Sequence, residues 1–530
     1  MSMNLKELSL PIFIVLIFSA FISIFTPFIP IDETRYISVA WDMQLYHSFI
    51  VPIINGVEYS HKPPFLFWLI NCDWKILGVN GWSLRFIPAL FSIINLLLVY
   101  KLSDFLWGNK RISYYSSLFL STTSLYLLWS GLIMFDVILT TWCLLAWYYI
   151  FRNSREFSYK NSCISGIALG MGILTKGPVI FVYVLPIAIL LPFLTVEFNV
   201  APRKWFNGLF TSFIVSLILL SLWLIPALYI SGAEYREAIL WKQTAGRVVK
   251  AFAHQRAFWW YIPLIPLYLF PWGVFPSIWK KQYWETSFKK DGYFKVLISI
   301  VFSTFIIFSI ISSKQLHYLL PVVPFISILL SKLYVANGLF EKVNFRVLAY
   351  YLTTLFLVIL FLLLVLVFIK GNVFSGYVGF LFLLAISFDL ILIYIIKNNN
   401  VCSSYKLLVV SVLSSLLVAT LVTKGLALDI TPLAKFIEKK QLAGYHFINL
   451  KQYHAQYQFL GRLKTPLEEI RKENILKKKV KEGKIPKKTL VITYKHYDKY
   501  KIDDNDKKFI AFSFHYLNKI IIVWDIKKWE

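Results

Sequence analysis

Cysteine is scarce in this chain. There are four in 530 residues, Cys72, Cys143, Cys163 and Cys402, and no two form a Cys-x-x-Cys pair. That excludes a disulfide framework and the paired-cysteine zinc sites. The chain also lacks a GxxxxGK[ST] loop, a GxGxxG stretch after a strand and an HExxH helix. Nucleotide hydrolysis, dinucleotide binding and zinc-protease chemistry of the usual kinds are thereby set aside. Acidic residues are few, 28 against 55 Lys and Arg, for a net charge of +27. A basic surplus can signal nucleic-acid binding. Here the basic residues fall in short segments between apolar runs and in the C-terminal tail, a pattern set by membrane topology and anionic lipid. No nucleic-acid partner is expected. What the chain has in excess is apolar surface: 58% hydrophobic residues and 18% aromatics, with a mean hydropathy of +0.63. A soluble chain holds about 45–50% apolar residues. The excess must face lipid, and membrane lipids are the first expected partner.

A spanning helix needs about 20 apolar residues. Thirteen segments read as spans: roughly 8–29, 85–106, 112–130, 132–151, 161–175, 177–196, 206–230, 257–279, 294–312, 316–335, 346–369, 375–396 and 405–425. The first lacks a small-residue cleavage site and reads as a retained helix. With a cytoplasmic N-terminus, every cytoplasmic loop is basic, from Lys110/Arg111 to Lys397/Lys406, as the positive-inside rule requires. Two long loops, about 30–84 and 231–256, then lie outside, as does the tail. The expected organisation is a membrane domain over 1–428 and a small soluble domain over 429–530. In the tail, Tyr445–Leu450, Thr489–Tyr494, Phe509–Phe514 and Ile520–Trp524 read as strands and 466–482 as a basic amphipathic helix, so an α/β domain is expected.

Candidate polar residues gather on the outer side. In the first long loop, Asp32 and Glu33 follow the first span, and Arg35 comes next. Asp32 reads either as the N-cap of a helix starting at Glu33 or as a carboxylate at the mouth of a membrane cavity. The same loop carries Tyr59, His61 and Lys62 before Pro63-Pro64. The prolines stiffen the backbone, so Lys62 reads as a phosphate ligand or as a cation reaching for the interface. Asp136, at the head of another apolar segment, is costly near a membrane and is a functional candidate. The second long loop holds Arg236, Arg247, His254 and Arg256, which could grip phosphate or rest on anionic headgroups. Lys314, His317 and Tyr318 mark a further outer junction. A reaction at the outer leaflet has no supply of nucleotide-activated substrate. A sugar already linked to a lipid phosphate would meet that need, with fixed cations stabilising the departing phosphate.

The order of Asp32-Glu33-Thr34-Arg35-Tyr36, Asn55-Gly56, Tyr59, Lys62-Pro63-Pro64, Leu174-Thr175-Lys176-Gly177-Pro178, Phe258-Trp259-Trp260-Tyr261-Ile262-Pro263 and Ser313-Lys314 with Tyr318-Leu319-Leu320-Pro321 resembles the bacterial aminoarabinose (lipid A) glycosyltransferases, within the protein O-mannosyltransferase-like C-type glycosyltransferases. Tyr453-His454 and Phe459-Leu460-Gly461-Arg462-Leu463 resemble the small periplasmic domain of some members. The resemblance implies an all-α polytopic membrane fold with a small C-terminal α/β domain. It implies inverting transfer of a sugar from undecaprenyl phosphate to lipid A at the periplasmic face of the inner membrane. Asp32 would be the main carboxylate, with Glu33 beside it, and Asp136 the second acidic position. Lys62, Tyr59, Arg247, Tyr318, Lys314 and Arg35 would bind the donor phosphate. Several relatives carry Glu where this chain has His61. A divalent metal could engage His61 with His254, but none is expected to be required. Two rival readings stay open: transfer to a protein or another glycan, and a lipid or glycan transporter. The second would need polar pairs along a path through the bilayer.

Overall fold

The computed structural model describes residues 5–195, 197–242, 255–274, 276–339, 429–496, 503–516 and 519–529. The expected spans 346–369, 375–396 and 405–425, and the candidates Arg247 and His254, lie outside the described residues. The chain divides into two compact units. One joins Met1–Ile24, Arg85–Trp223 and Trp241–Ala419; the other joins Phe25–Leu84, Leu224–Leu240 and Thr420–Glu530.

The first unit is helical. Its helices include α1 (Ser9–Phe25), α4 (Phe86–Trp107), α5 (Lys110–Thr122), α6 (Ser124–Ser130), α7 (Phe135–Arg155), α8 (Tyr159–Lys176), α9 (Ile180–Leu194) and α10 (Pro202–Ile230) as far as Trp223; α2 (Glu33–Leu45) and α3 (Phe65–Leu77) belong to the second unit. Among the described residues, four segments are long and apolar enough to cross a bilayer: Ser83–Trp107, Pro202–Ile230, Gly292–Ile310 and Leu316–Ala336. The bent pair of α6 and α7, at 111°, makes a fifth if counted as one span. On α10 only 17% of the apolar window is buried, and Phe210, Leu222 and Ile225 are exposed. An exposed apolar face of that length suits lipid. Close packing is set by small residues. A Cβ on Gly166 would meet the Ser212 carbonyl oxygen at 2.6 Å, and one on Gly170 would meet Leu219 at 2.8 Å. This spacing of two glycines four apart lets α8 and α10 approach.

Two expected spans are corrected, the first by proline. Residues 257–279 break into a 3-10 turn (Phe258–Leu264), a helix of five residues (Ile265–Leu269) and two further 3-10 turns. Pro263, Pro266, Pro271 and Pro276 remove helix donors at close intervals. The expected segment 112–130 ends one helix at Thr122 and starts another at Ser124, with Thr123 extended between them.

The second unit carries α2 (Glu33–Leu45), the hairpin strands β1 (Ile53–Ile54) and β2 (Val57–Glu58), α3 (Phe65–Leu77) and the C-terminal α/β domain. That domain holds β3 (His446–Leu450), β4 (Glu468–Ile470), β5 (Thr489–His496), β6 (Ile510–Tyr516) and β7 (Lys519–Asp525), in the order β4-β3-β5-β7-β6. β3 runs parallel to β4 and β5; β7 runs antiparallel to β5 and β6. Successive residues alternate between two cores. Phe447, Leu490 and Ile492 meet helix Thr431–Leu442 through Leu433, Ala434 and Ile437, while Ile448, Val491 and Ile470 meet Leu476 of helix Glu473–Lys481. The expected helix over 466–482 is shorter than expected. Its first part is β4, an extra strand whose three residues are too few to show a period-two pattern.

Candidate functional site

Each unit brings together some of the predicted residues. In the second unit, the chain leaves Phe25 and turns sharply into α2. Ile31 adopts φ +77°, a left-handed conformation that is costly for a β-branched residue. Two hydrogen bonds hold the turn: the Ile31 N–H donates to Thr34 Oγ1 at 3.0 Å, and the Ile29 N–H donates to Glu33 Oε2 at 2.9 Å. Glu33 is fully buried, so its carboxylate shapes the backbone below Asp32.

Asp32 occupies the N-cap position, yet its side chain makes no capping bond and its backbone is already helical. The capping reading of the sequence is therefore corrected. Its Oδ1 instead accepts from Arg35 Nη2 at 3.3 Å, with side-chain exposures of 46% for Asp32 and 19% for Arg35. Spacing explains the contact, because residues three apart on a helix share a face. Arg35 Nε is buried and has no hydrogen-bond partner among the described residues. The guanidinium also bonds the Tyr36 hydroxyl; a buried N–H donor left open is costly, and the open Nε is suited to a phosphate oxygen. His454 and Tyr59 lie within electrostatic reach of this arginine. Burial first, and then Arg35, pushes the His454 pKa below its ordinary value.

Tyr59 and Lys62 follow the hairpin. The Asn55-Gly56 turn has φ +52° and +77°, the signature of a two-residue turn that only Asn, Asp or Gly accepts readily. Past the turn, the Tyr59 N–H donates to the Pro52 carbonyl at 2.7 Å. The buried Tyr59 ring meets Phe67 edge-on at 6.1 Å and His61 at 5.2 Å. Lys62 is half-buried and His61 exposed. Among the described residues no group of three His, Cys, Asp or Glu could hold a metal. His61 thus has no described ligand set around it, and no step is assigned to a metal.

The C-terminal domain reaches back to this loop within the same unit. Asn55 Nδ2 donates to the Leu467 carbonyl at 2.9 Å, and Asn55 Oδ1 accepts from the Leu467 N–H at 2.9 Å and from Gln458 Nε2 at 2.8 Å. Trp41 Nε1 donates to the Leu463 carbonyl at 2.9 Å. Phe459 stacks on Trp74 with centroids 5.2 Å apart, and the Arg462 guanidinium lies over the Phe459 ring, 3.8 Å from its centroid. The residues quoted for the small domain, Phe459 to Leu463, are thus the ones that dock on α2 and α3. Part of the second long loop docks there too, through Glu58, which accepts from the Gly232 N–H at 3.0 Å.

The first unit holds a different centre. α7 and α8 are joined by three residues and so run antiparallel, which brings the start of α7 to the end of α8. Asp136 lies in the first turn of α7 and Lys176 in the last turn of α8, each where the helix dipole favours its charge. They form an ion pair with side-chain exposures of 9% for Lys176 and 3% for Asp136. His317 Nε2 stands 4.0 Å from Asp136 Oδ2. Lys176 Nζ sits 5.0 Å from the centre of the Tyr318 ring, and the Tyr318 carbonyl accepts from Tyr183 Oη at 2.6 Å. Lys176 was read from the sequence only as part of a loop motif; its pairing with Asp136 was missed. Lys314, expected at a phosphate, is 1% exposed and donates to the carbonyls of Ile311, at 2.5 Å, and Arg256, at 3.1 Å. It closes the end of helix Gly292–Ile310.

Asp42 is the residue the sequence reading passed over. It is 1% exposed on α2 and accepts from the Asn55 N–H. Burial pushes its carboxyl up to about 7, against the pull of the Asn55 and Gly56 N–H groups. An acidic residue ten positions into an amphipathic helix carries no local sign of burial.

Comparison with known proteins adds four matches. The profile of the dolichyl-phosphate-mannose-protein mannosyltransferase family matches residues 61–229. The undecaprenyl phosphate-alpha-4-amino-4-deoxy-L-arabinose arabinosyl transferase of Photorhabdus laumondii is 26% identical over 324 residues, 59% of this chain and 57% of that one. The transferase of the same name from Pseudomonas paraeruginosa is 28% identical over 299 residues, 55% and 52% of the two chains. The chain thus spans about half the length of the curated relatives it matches. The crystal structure of ArnT from Cupriavidus metallidurans bound to undecaprenyl phosphate superposes with a TM-score of 0.74 at 16% identity, covering 98% of both chains. The fold is therefore the one the motifs led us to expect, and the resemblance read from the residues is the one the relatives carry. The chain is a multi-pass membrane protein with a small C-terminal α/β region.

Proposed function

We propose that this protein is a glycosyltransferase of the bacterial inner membrane, working at the periplasmic face. It transfers a sugar, aminoarabinose or another sugar, amino sugars included, from undecaprenyl phosphate to lipid A with inversion at the anomeric carbon. The observation that carries the reading is Arg35. Asp32 holds one edge of its guanidinium, while the buried Nε has no partner among the described residues. A phosphate oxygen would complete that set. The names of the relatives supply the sugar and the lipid carrier.

In the reaction the C1–O bond of the donor breaks and its electron pair goes to the lipid phosphate. Arg35 and Lys62 stabilise that charge as it develops. An acceptor oxygen forms the new bond to C1 from the opposite side of the ring. When the acceptor is a phosphate of lipid A, its oxygen is already a nucleophile and needs no base. Asp32 then holds the acceptor or the sugar in line, a role that its exposure allows. Tyr59 packs the strap that presents Lys62. Asp136, with Lys176, His317 and Tyr318, forms a second polar centre whose part in turnover is assigned by carry-over from the family. His61 lies next to Lys62 without a described metal set.

The test is expression of wild type and Asp32→Asn in a strain lacking its own lipid A modifying enzymes, followed by mass spectrometry of lipid A. A sugar-sized increment with wild type alone supports the reading and gives the sugar class. Absence of any increment from well-expressed wild type, in cells containing the lipid-linked sugar, would redirect the search to protein or glycan acceptors.

A further inference from the structure

We propose that Asp42 is a positioning residue for the donor-phosphate strap Tyr59–Lys62, acting through the backbone of the Asn55-Gly56 turn. The inference deepens the function proposed above and rests on it.

A two-residue hairpin turn leaves its central N–H groups outside the strand ladder. In this hairpin, Ile53 faces Glu58 and Ile54 faces Val57, so the Asn55 and Gly56 N–H groups have no strand partner. Asn55 is half-buried and Gly56 exposed, and the turn is fixed where these N–H groups find a protein acceptor rather than water. Asp42 supplies it to both. A carboxylate is suited to this task because it offers two oxygens and no donor. The arrangement also explains a buried acid on α2 that has no described ion pair. The titratable groups near it are Tyr46 at the end of α2 and Tyr453 of the C-terminal domain. Neither brings a positive charge.

The turn is held on its other side as well. The Asn55 side chain bonds Leu467 and Gln458, and a Cβ on Gly56 would meet Pro466 Cγ at 2.9 Å. Asp42 fixes the backbone; the C-terminal domain fixes the side chain. Three residues past the turn comes Tyr59, whose N–H continues the ladder to Pro52, and three further on comes Lys62. The strap is then closed by Pro63-Pro64 at the start of α3. Between its two ends the strap has little freedom, so the geometry of the turn sets where Lys62 stands. This makes Asp42 remote from the phosphate but coupled to its ligand.

The test uses the full chain in lipid nanodiscs. It measures the Kd for undecaprenyl phosphate, and KM and kcat with the lipid-linked sugar donor, between pH 6 and 8. Asp42→Ala should weaken donor binding about tenfold, as loss of a buried acceptor does, with kcat changed less than threefold at saturating donor. In wild type, donor KM should rise as pH falls through 7 and the carboxyl takes up its proton. Asp42→Asn, which like the protonated carboxyl keeps one acceptor oxygen, should hold donor KM near the low-pH wild-type value at every pH and so lose that trend. A purely structural role would lower the active fraction and leave both KM and the trend in place. Unchanged donor affinity in Asp42→Ala, or a pH trend that persists in Asp42→Asn, would overturn the proposal while leaving the function standing. A wild type that neither binds undecaprenyl phosphate nor transfers sugar would overturn the function, and this inference with it.

Discussion

The two acidic centres of this protein differ in almost every physical respect. Asp32 is half-exposed and touches its arginine at 3.3 Å, while the arginine Nε has no partner among the described residues. Asp136 is 3% exposed, joined to Lys176 and flanked by His317. An exposed pair adds little to stability, because water screens it. A buried pair is different: removing one partner leaves an unpaired charge in a medium that cannot solvate it. The comparison teaches that the same residue type near a membrane can stand open to solvent in one place and be locked into a buried pair in another. Burial and partners decide which.

The comparison can be broken at its buried end first. Asp136→Ala should destabilise the fold by about 3–5 kcal/mol, read as thermal unfolding in detergent. Adding Lys176→Met should recover part of the loss, since the orphaned charge is gone. An unchanged unfolding profile together with lost transfer would make Asp136 a reagent and cancel the contrast. At the open end, Asp32→Asn should lower transfer by about 10²–10³-fold and leave thermal unfolding unmoved. A large drop in stability would show that Asp32 is structural after all.

Smaller changes sharpen the contrast. Arg35→Lys keeps the charge but loses the planar fork, and donor KM should rise about tenfold, converted from about 1.4 kcal/mol for one charge-assisted bond. Asp42→Asn tests linkage. The folded chain keeps the Asp42 proton up to about pH 7 and the unfolded chain releases it near 3.8. Over that interval the folded state binds more protons, so wild-type stability falls as pH rises. The Asn variant should lack this fall and gain about 2–4 °C on wild type between pH 5 and pH 8. The smallest effect is expected for His454→Ala. Its imidazole is held neutral near pH 7 by burial and Arg35, and transfer should change by no more than about threefold.

Much of the fold was legible. Apolar runs placed α4, α7, α8 and α10 within a few residues, because length against bilayer thickness is a local property. The alternating segments of the tail placed β3, β5, β6 and β7 for the same reason. For the candidate site, Asp32, Lys62 and Asp136 stood out because acids and stiffened cations are conspicuous beside apolar runs. The roles were harder. Asp32 looked like a cap, and only the backbone angles of α2 showed otherwise. Lys314 looked like a phosphate ligand, and only its burial against two carbonyls showed it closing a helix end.

The sequence by itself determined that this chain lives in a membrane, that a small sheet domain ends it, and that its polar residues cluster in a few segments. Those properties depend on composition and on periods of two or four residues. Tertiary structure alone decided that Asp136 meets Lys176, forty positions away, and that Asn55 is gripped by Leu467, more than four hundred away. It also decided that Asp42 is buried under a turn. Such pairings are fixed by how helices and strands pack, and no local pattern along the chain encodes them.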